Sequence, residues 1–215
     1  MSPQPISVDL FTQIQERAAF KPLSELEKRA FRSQAERLKN TDPAHAFAAM
    51  GYLACLERNI PLMRECHTKA LTASGNDPIE IHNFSLSLAL CDLVTEAIER
   101  AHDAVSRQPA SSHFTGTYLF LLLQAKRVDE LISALENWKK ATGQSHPIED
   151  ELDALGVIDN YARIIAAEKE GIPLDEIEAY KEMLLDTEEE LTAMCTMASH
   201  AALSRSWKGE DQKIT

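Results

Sequence analysis

The chain has little of what typifies a secreted scaffold, a membrane protein or a loop-rich enzyme. Its 215 residues include seven glycines, nine prolines and four cysteines, and only 6% are aromatic. So few glycines and prolines disfavour long irregular loops. The longest uninterrupted apolar run covers residues 118–123, whereas a membrane-spanning helix needs roughly 20 apolar residues. We therefore expect no membrane partner.

The cysteines suggest no disulfide framework. Cys55, Cys66, Cys91 and Cys195 show no close pairing in sequence, which favours buried, reduced thiols in a reducing compartment. Residues 1–9 also lack the basic-then-apolar pattern of a secretion signal. These two features predict a cytoplasmic protein.

Motifs that carry chemistry are missing as well. The sequence has no glycine-rich phosphate loop and no His-Glu-x-x-His pattern. Cys66 and His67 are neighbours, and neighbours on a helix point in different directions, so they cannot act as nucleophile and base. We expect a protein that is not an enzyme and needs neither cofactor nor metal. One alternative is a zinc cluster of His45, His82 and His113.

Negative charge is concentrated in one region. The formal net charge is −12, and residues 147–190 carry fifteen acidic and three basic side chains, which is the whole imbalance. Because affinity for nucleic acids depends on basic residues, direct nucleic-acid binding is not expected. A partner with a basic surface is a reasonable hypothesis. The alternative is that these acids cover a solvated helix surface.

Polar caps and breakers divide the chain into helices. Ser24 and Glu27 form a capping-box pattern, and Asp42-Pro43 and Asp77-Pro78 each place an acidic cap before a proline. The predicted helices cover residues 6–20 (capped by Ser7), 24–38, 43–57, 60–73, 78–91, 93–107, 112–124, 128–141, 148–170 and 174–206, with Ser145-His146-Pro147 as a third start of the same kind. The second helix is expected to bury Leu26, Ala30, Phe31, Ala35 and Leu38.

A period of 34 residues runs through the middle of the sequence. Ala70, Ala104 and Trp138 are 34 apart, and so are Tyr52, Leu86 and Phe120. The helical breakers recur at matching intervals. Units of this length, each a pair of helices, bury their apolar sides by stacking on their neighbours.

Residues 43–144 resemble three tandem tetratricopeptide repeats. The matching positions are Phe47, Met50, Gly51 and Ala70 in the first unit, Ile81, Phe84, Ser85, Ala97, Ala101, Ala104 and Pro109 in the second, and Tyr118, Leu131, Leu135 and Trp138 in the third. Trp138 departs from the pattern, because the family has a small residue there. Met63 and His67 depart from it too, where the family has a small residue and an aromatic.

The resemblance implies an all-α, antiparallel helix-hairpin solenoid, a right-handed superhelix with extra helices at both ends. It also implies that the first helix of each repeat lines a concave groove for a partner. By position, the candidate groove residues are His45, Tyr52, His82, Asn83, Leu86, His113, Phe120 and Gln124. The candidate repeat-packing residues are Gly51, Ala70, Ala97, Ala104 and Trp138.

Two interpretations of the apolar ladder remain open. Tyr52, Leu86 and Phe120 form either an apolar strip for a partner segment or part of the internal core. The sequence alone does not decide between these interpretations, since apolar residues on stacked helices occur in both settings.

The predicted organisation is one structural domain with four parts. They are an N-terminal helix pair or degenerate repeat (1–42), three repeats (43–145), an acidic helical extension (146–208) and a disordered tail (209–215). In the extension, Ile177, Leu184, Leu191 and Ala198 are seven apart, which is typical of a coiled-coil seam. That helix either caps the stack or forms a homodimer.

The predicted function is non-catalytic binding of a protein or peptide, as an adaptor, a dedicated chaperone or an inhibitor of a basic partner. One alternative is a regulatory receptor for a peptide or small ligand. Another is a homodimeric structural organiser that acts through its C-terminal helix.

Overall fold

The computed structural model describes residues 9–125, 127–143 and 171. Within these residues the chain forms eight α-helices and no strand. They are α1 (Leu10–Phe20), α2 (Glu25–Leu38), α3 (Pro43–Leu56), α4 (Ile60–Ser74), α5 (Pro78–Leu90), α6 (Val94–Arg107), α7 (Ser112–Gln124) and α8 (Val128–Thr142). The all-α prediction is confirmed for this part of the chain, and most bounds lie within a residue or two of those predicted.

Side-chain caps explain where most helices begin. Ser24 and Glu27 form the predicted capping box, and Asp42 accepts the backbone N–H of His45 at the start of α3. The first helix differs from the prediction. Asp9 rather than Ser7 caps it, because the Asp9 carboxylate accepts the backbone N–H of Thr12 at 3.0 Å. Ser7 lies outside the described residues.

The 34-residue period is visible in the backbone. The residues that precede α4, α6 and α8 are Asn59, Leu93 and Arg127, and each donates its N–H to the carbonyl five residues earlier, that of Ala54, Leu88 and Leu122. The three distances are 2.8, 3.0 and 2.9 Å. Each unit therefore ends its first helix with the same tight turn.

The helices pack as consecutive antiparallel pairs. Helix α3 packs on α4, α5 on α6 and α7 on α8, and the pairs are joined by contacts of α3 and α4 with α5 and of α6 with α7. The N-terminal pair differs in part, because α1 and α2 both pack against α3 but have few contacts with each other. Both helices therefore cover the exposed end of the α3–α4 pair, and the sequence of residues 1–42 matches the 34-residue period poorly.

The first helices of the pairs form the core. Every residue of α5 from Glu80 to Leu90 is buried, and both 34-residue ladders belong to the buried core. The prediction for α2 is wrong in part. Leu26 is 78% exposed and Ala30 is exposed, because α2 turns Phe31, Ala35 and Leu38 toward the core instead.

The candidate packing residues are buried and close to other elements. Gly51 illustrates why a small residue is needed, since a Cβ there would lie 2.7 Å from the His67 imidazole. The remaining four, Ala70, Ala97, Ala104 and Trp138, are all in the core. At the third position of the ladder, bulky Trp138 is accommodated there in place of an alanine.

Several predictions fall outside the described residues. They are the start at Ser145-His146-Pro147, the helices over 148–170 and 174–206, the coiled-coil seam and the disordered tail. In the part of the chain that the structure describes, no helix combines the length and apolarity required to cross a bilayer.

Candidate partner-binding site

The predicted apolar strip lies in the core. Tyr52, Leu86 and Phe120 are 1%, 2% and 4% exposed, and the Tyr52 ring packs on Phe11 of α1 with centroids 4.9 Å apart. The interpretation as an exposed groove strip is therefore corrected for these residues. Neighbouring helices surround all three side chains, so a partner could not reach them without opening the fold.

Two polar candidates are buried with them. His82 packs against the rings of His113 and Phe114, with centroids 4.5 and 5.1 Å away, and Asn83 donates a hydrogen bond to Glu80 Oε2 at 3.3 Å. These contacts correct the groove interpretation for both. His113 is exposed at the start of α7, and Gln124 is half-buried at its end.

His45 remains accessible and belongs to an acidic group. Its Nδ1 lies 2.7 Å from Asp42 Oδ2, and its Nε2 lies 3.7 Å from Glu80 Oε1. Glu80 is only 2% exposed. Burial raises the pKa of its carboxyl, and His45 opposes that rise. The buried acid is therefore held beneath a half-exposed histidine.

The three histidines of the zinc alternative do not come together as one set. His82 and His113 are in contact, whereas His45 pairs with Asp42 and Glu80. Among the described residues, no group of three or more His, Cys, Asp or Glu side chains is arranged to hold a metal ion.

An open cleft lies where α1, α2 and α3 meet. Its volume is about 490 Å³, and its lining residues are Asp9, Leu10, Gln13, Gln34, Leu38, Asp42 and His45. Leu10 and Leu38 supply aliphatic walls, while Asp9 and Asp42 supply carboxylates. This combination suits a long side chain with an apolar stem and a cationic end.

A smaller cleft lies between α6, α7 and α8. Its volume is about 290 Å³, and it is lined by His102, Val105, Ser106, Pro109, Tyr118, Glu130, Ser133, Ala134, Asn137 and Trp138. The His102 ring lies over Tyr118 with centroids 5.5 Å apart, and burial raises the pKa of the Tyr118 hydroxyl. Aromatic walls with a few polar groups are typical of small-ligand sites.

A buried hydrogen bond joins α4 to α5. His67 Nε2 lies 2.8 Å from Ser87 Oγ, and the imidazole stacks on Phe84 with centroids 4.9 Å apart. Burial lowers the pKa of His67 to about 3, so the ring is neutral near pH 7. No local sequence pattern predicts this pair, because the two residues are 20 apart.

The second feature that sequence analysis missed is a pair of thiols. Cys55 at the end of α3 and Cys91 directly after α5 have Sγ atoms 3.2 Å apart. Their separation of 36 residues exceeds the repeat by two. The 34-residue period puts both cysteines near the ends of the first helices of successive pairs, and this correspondence could have predicted the contact. Cys55, Cys66 and Cys91 are buried, as expected, and none of the three is in a disulfide in the structure.

Comparison with known proteins identifies no relative. No protein-family model matches the chain. Neither the curated proteins nor the solved structures contain a significant match.

Proposed function

We propose that this chain is a non-catalytic, cytoplasmic helical-repeat protein of the tetratricopeptide type that binds a protein or peptide with basic side chains. The observation that carries the proposal is the cleft between α1, α2 and α3, which combines two carboxylates with aliphatic walls. The 34-residue recurrence of the helix pairs supports the repeat assignment.

The cleft has the chemistry to hold a lysine or arginine side chain. Asp9 accepts hydrogen bonds from Thr12, and Asp42 pairs with His45. An ionised carboxylate has about four acceptor positions, so each acid retains capacity for a cationic ligand. The methylenes of that ligand would pack between Leu10 and Leu38. Because the acids are partly exposed, binding should weaken as salt increases.

The sequence supports a basic partner independently. The acidic side chains of residues 147–190 give the whole chain its net charge of −12, which favours encounter with positively charged surfaces. An adaptor, a dedicated chaperone or an inhibitor of a basic protein would each use such a surface.

Removing the negative charges of the two helix-capping aspartates in the cleft tests whether the cleft binds basic side chains. Asp9→Asn with Asp42→Asn removes both charges from the cleft, and asparagine is as good a helix cap as aspartate. Asp77→Asn is the matched control, because Asp77 caps α5 in the same way but does not line the cleft. A random peptide library is selected on the wild-type protein, and binding of the enriched peptides is measured by fluorescence anisotropy.

We expect the enriched peptides to contain lysine or arginine. Their affinity should fall about tenfold in the double variant, the size of one lost charge-assisted interaction. Asp77→Asn should bind as the wild type does. Enrichment of uncharged peptides, or an equal loss in the control, would reject the cleft as the site.

A second candidate function is a receptor for a small ligand or peptide, which the cleft between α6, α7 and α8 favours. Screening small molecules for thermal stabilisation tests it, with Ser133→Phe as the variant expected to fill the cleft and remove the shift. The homodimer alternative concerns the predicted helix over residues 174–206, which lies outside the described residues. Truncation after Gly171 followed by size measurement tests that alternative, and an unchanged monomer would exclude it.

A further inference from the structure

Two thiols at the ends of α3 and α5 lie close together. Cys55 lies in the last turn of α3, and Cys91 directly follows α5. Their Sγ atoms are 3.2 Å apart, both thiols are free, and the residues are 2% and 7% exposed. Because a disulfide bond is about 2.05 Å long, a relative movement of roughly 1 Å would join them.

The backbone around both thiols is held by equivalent turns. Arg58 and Asp92 follow the two helices, and both have positive φ angles, 56° and 60°. Arg58 Nη1 donates hydrogen bonds to Leu90 O at 2.9 Å and to Asp92 Oδ2 at 3.1 Å. The Cys55 Sγ atom also lies 3.1 Å from Ser87 O. These bonds tie one turn to the next and keep the thiols facing each other.

The two thiols are not equivalent. The hydrogen bond from Cys55, assisted by the positive charge of Arg58, lowers the pKa of the Cys91 thiol, while burial opposes this. The same hydrogen bond, together with burial, raises the pKa of the Cys55 thiol. The thiolate is the reactive form, and Cys91 is also the more exposed residue. Cys91 is therefore the thiol that reacts first.

We propose that Cys55 and Cys91 form a redox-responsive dithiol that closes to an intramolecular disulfide when the protein meets a peroxide. The Cys91 thiolate attacks one peroxide oxygen, the O–O bond breaks, and the leaving oxyanion takes a proton. Cys91 is then a sulfenic acid. The Cys55 sulfur attacks the Cys91 sulfur and gives up its proton, and the S–O bond breaks with loss of water. The two thiols lose two electrons, and the peroxide is reduced.

The disulfide would connect two neighbouring repeats covalently. It would restrict the unfolded chain and fix α3 against α5. For a chain of this size we expect the melting temperature to rise by roughly 5–10 °C. Cys66 provides the matched comparison, because it is equally buried in α4 and burial raises the pKa of its thiol.

Peptide mapping of the full chain tests the proposal. The native protein is treated with stoichiometric hydrogen peroxide, remaining thiols are alkylated, and the digest is analysed by mass spectrometry with and without reduction. We expect a peptide linked through Cys55 and Cys91 in the wild type and in Cys66→Ser. Cys55→Ser and Cys91→Ser should lose it. Dithiothreitol should reverse both the link and the rise in melting temperature.

Treatment in concentrated urea separates geometry from intrinsic reactivity, because the unfolded chain should show no preference for this pair. The proposal fails if oxidation of the native protein converts Cys91 to a sulfinic acid while Cys55 stays a free thiol and is recovered alkylated. It also fails if links to Cys66 or Cys195 dominate. Should either serine variant not fold, the wild-type map decides the question alone.

Discussion

The first and second helices of the pairs differ in how much of their surface is buried. In α5 every residue from Glu80 to Leu90 is buried, whereas α6 buries only Ala97, Ile98, Ala101 and Ala104 along one stripe. The inner helices α3, α5 and α7 therefore form the core of the stack, and the outer helices α2, α4, α6 and α8 cover it with a narrow apolar face. Substitutions on the two sets should differ in size, and this difference can be measured.

The largest expected effect is a cavity in an inner helix. Leu86→Ala should lower the free energy of unfolding by about 2–5 kcal/mol, because the buried side chain leaves a space that the stack cannot refill. Leu26→Ala makes the same chemical change on the exposed side of α2 and should alter stability by less than about 0.5 kcal/mol. Urea denaturation of both variants checks the comparison, which breaks down if the two effects are equal.

The next effect concerns close approach between an inner and an outer helix. Gly51→Ala should destabilise the protein by about 1–3 kcal/mol, because the new methyl group would lie against the His67 ring. Gly116→Ala is the control, since a Cβ there meets nothing within 4 Å. It should stabilise the protein by about 0.5–1 kcal/mol, because alanine favours the helix. Thermal unfolding of both variants is the measurement, and a stabilising Gly51→Ala would contradict the packing argument.

A smaller effect is the response to acid. The folded-state pKa of His67 is about 3, below its value of about 6.5 in an unfolded chain. The unfolded state therefore binds the proton first, and stability is lost as the pH falls below about 6.5. Between about pH 7.5 and 5.5 the loss should be about 1.4 kcal/mol.

His67→Gln should flatten this dependence, whatever its effect on stability at neutral pH. Urea midpoints measured across the pH range for both proteins give the slope. An identical slope in the variant would show that other groups cause the acid sensitivity.

The smallest effect should come from an ion pair between outer helices. Arg64 of α4 donates two hydrogen bonds to Glu96 of α6, each of 2.7 Å, and both side chains are 42% exposed. Solvent screens such pairs, so Arg64→Ala should destabilise the protein by about 0.5 kcal/mol. The loss should disappear in about 1 M salt. A loss that persists at high salt would point to packing by the arginine stem instead.

Helix positions were predictable because their causes are local. Caps such as Ser24, Asp42 and Asp77 and the breaker at Gly143 act within a few residues, and the structure confirms them. The side to which a residue faces was harder to predict. Helices α3, α5 and α7 are apolar nearly all round, so periodicity could not decide whether Tyr52 faced a partner or the core.

The candidate sites depend on long-range contacts that no local pattern encodes. The acidic cleft is lined by Asp9 of the first helix pair and Asp42 of the next, and the thiol pair lies at the ends of α3 and α5. Only the repeat period could have suggested either juxtaposition. The period suggests the contact between Cys55 and Cys91, because their separation of 36 residues is close to 34.

The matching turns at Arg58 and Asp92 have a consequence for how the chain can change in length. Both residues adopt the same left-handed backbone one period apart, so each junction is interchangeable with the other. Excising residues 59–92 would join Arg58 to Leu93 and recreate a turn that the protein already makes. Loss or duplication of a whole 34-residue unit would therefore keep this junction, whereas a deletion inside a helix would change which of its later residues face the core.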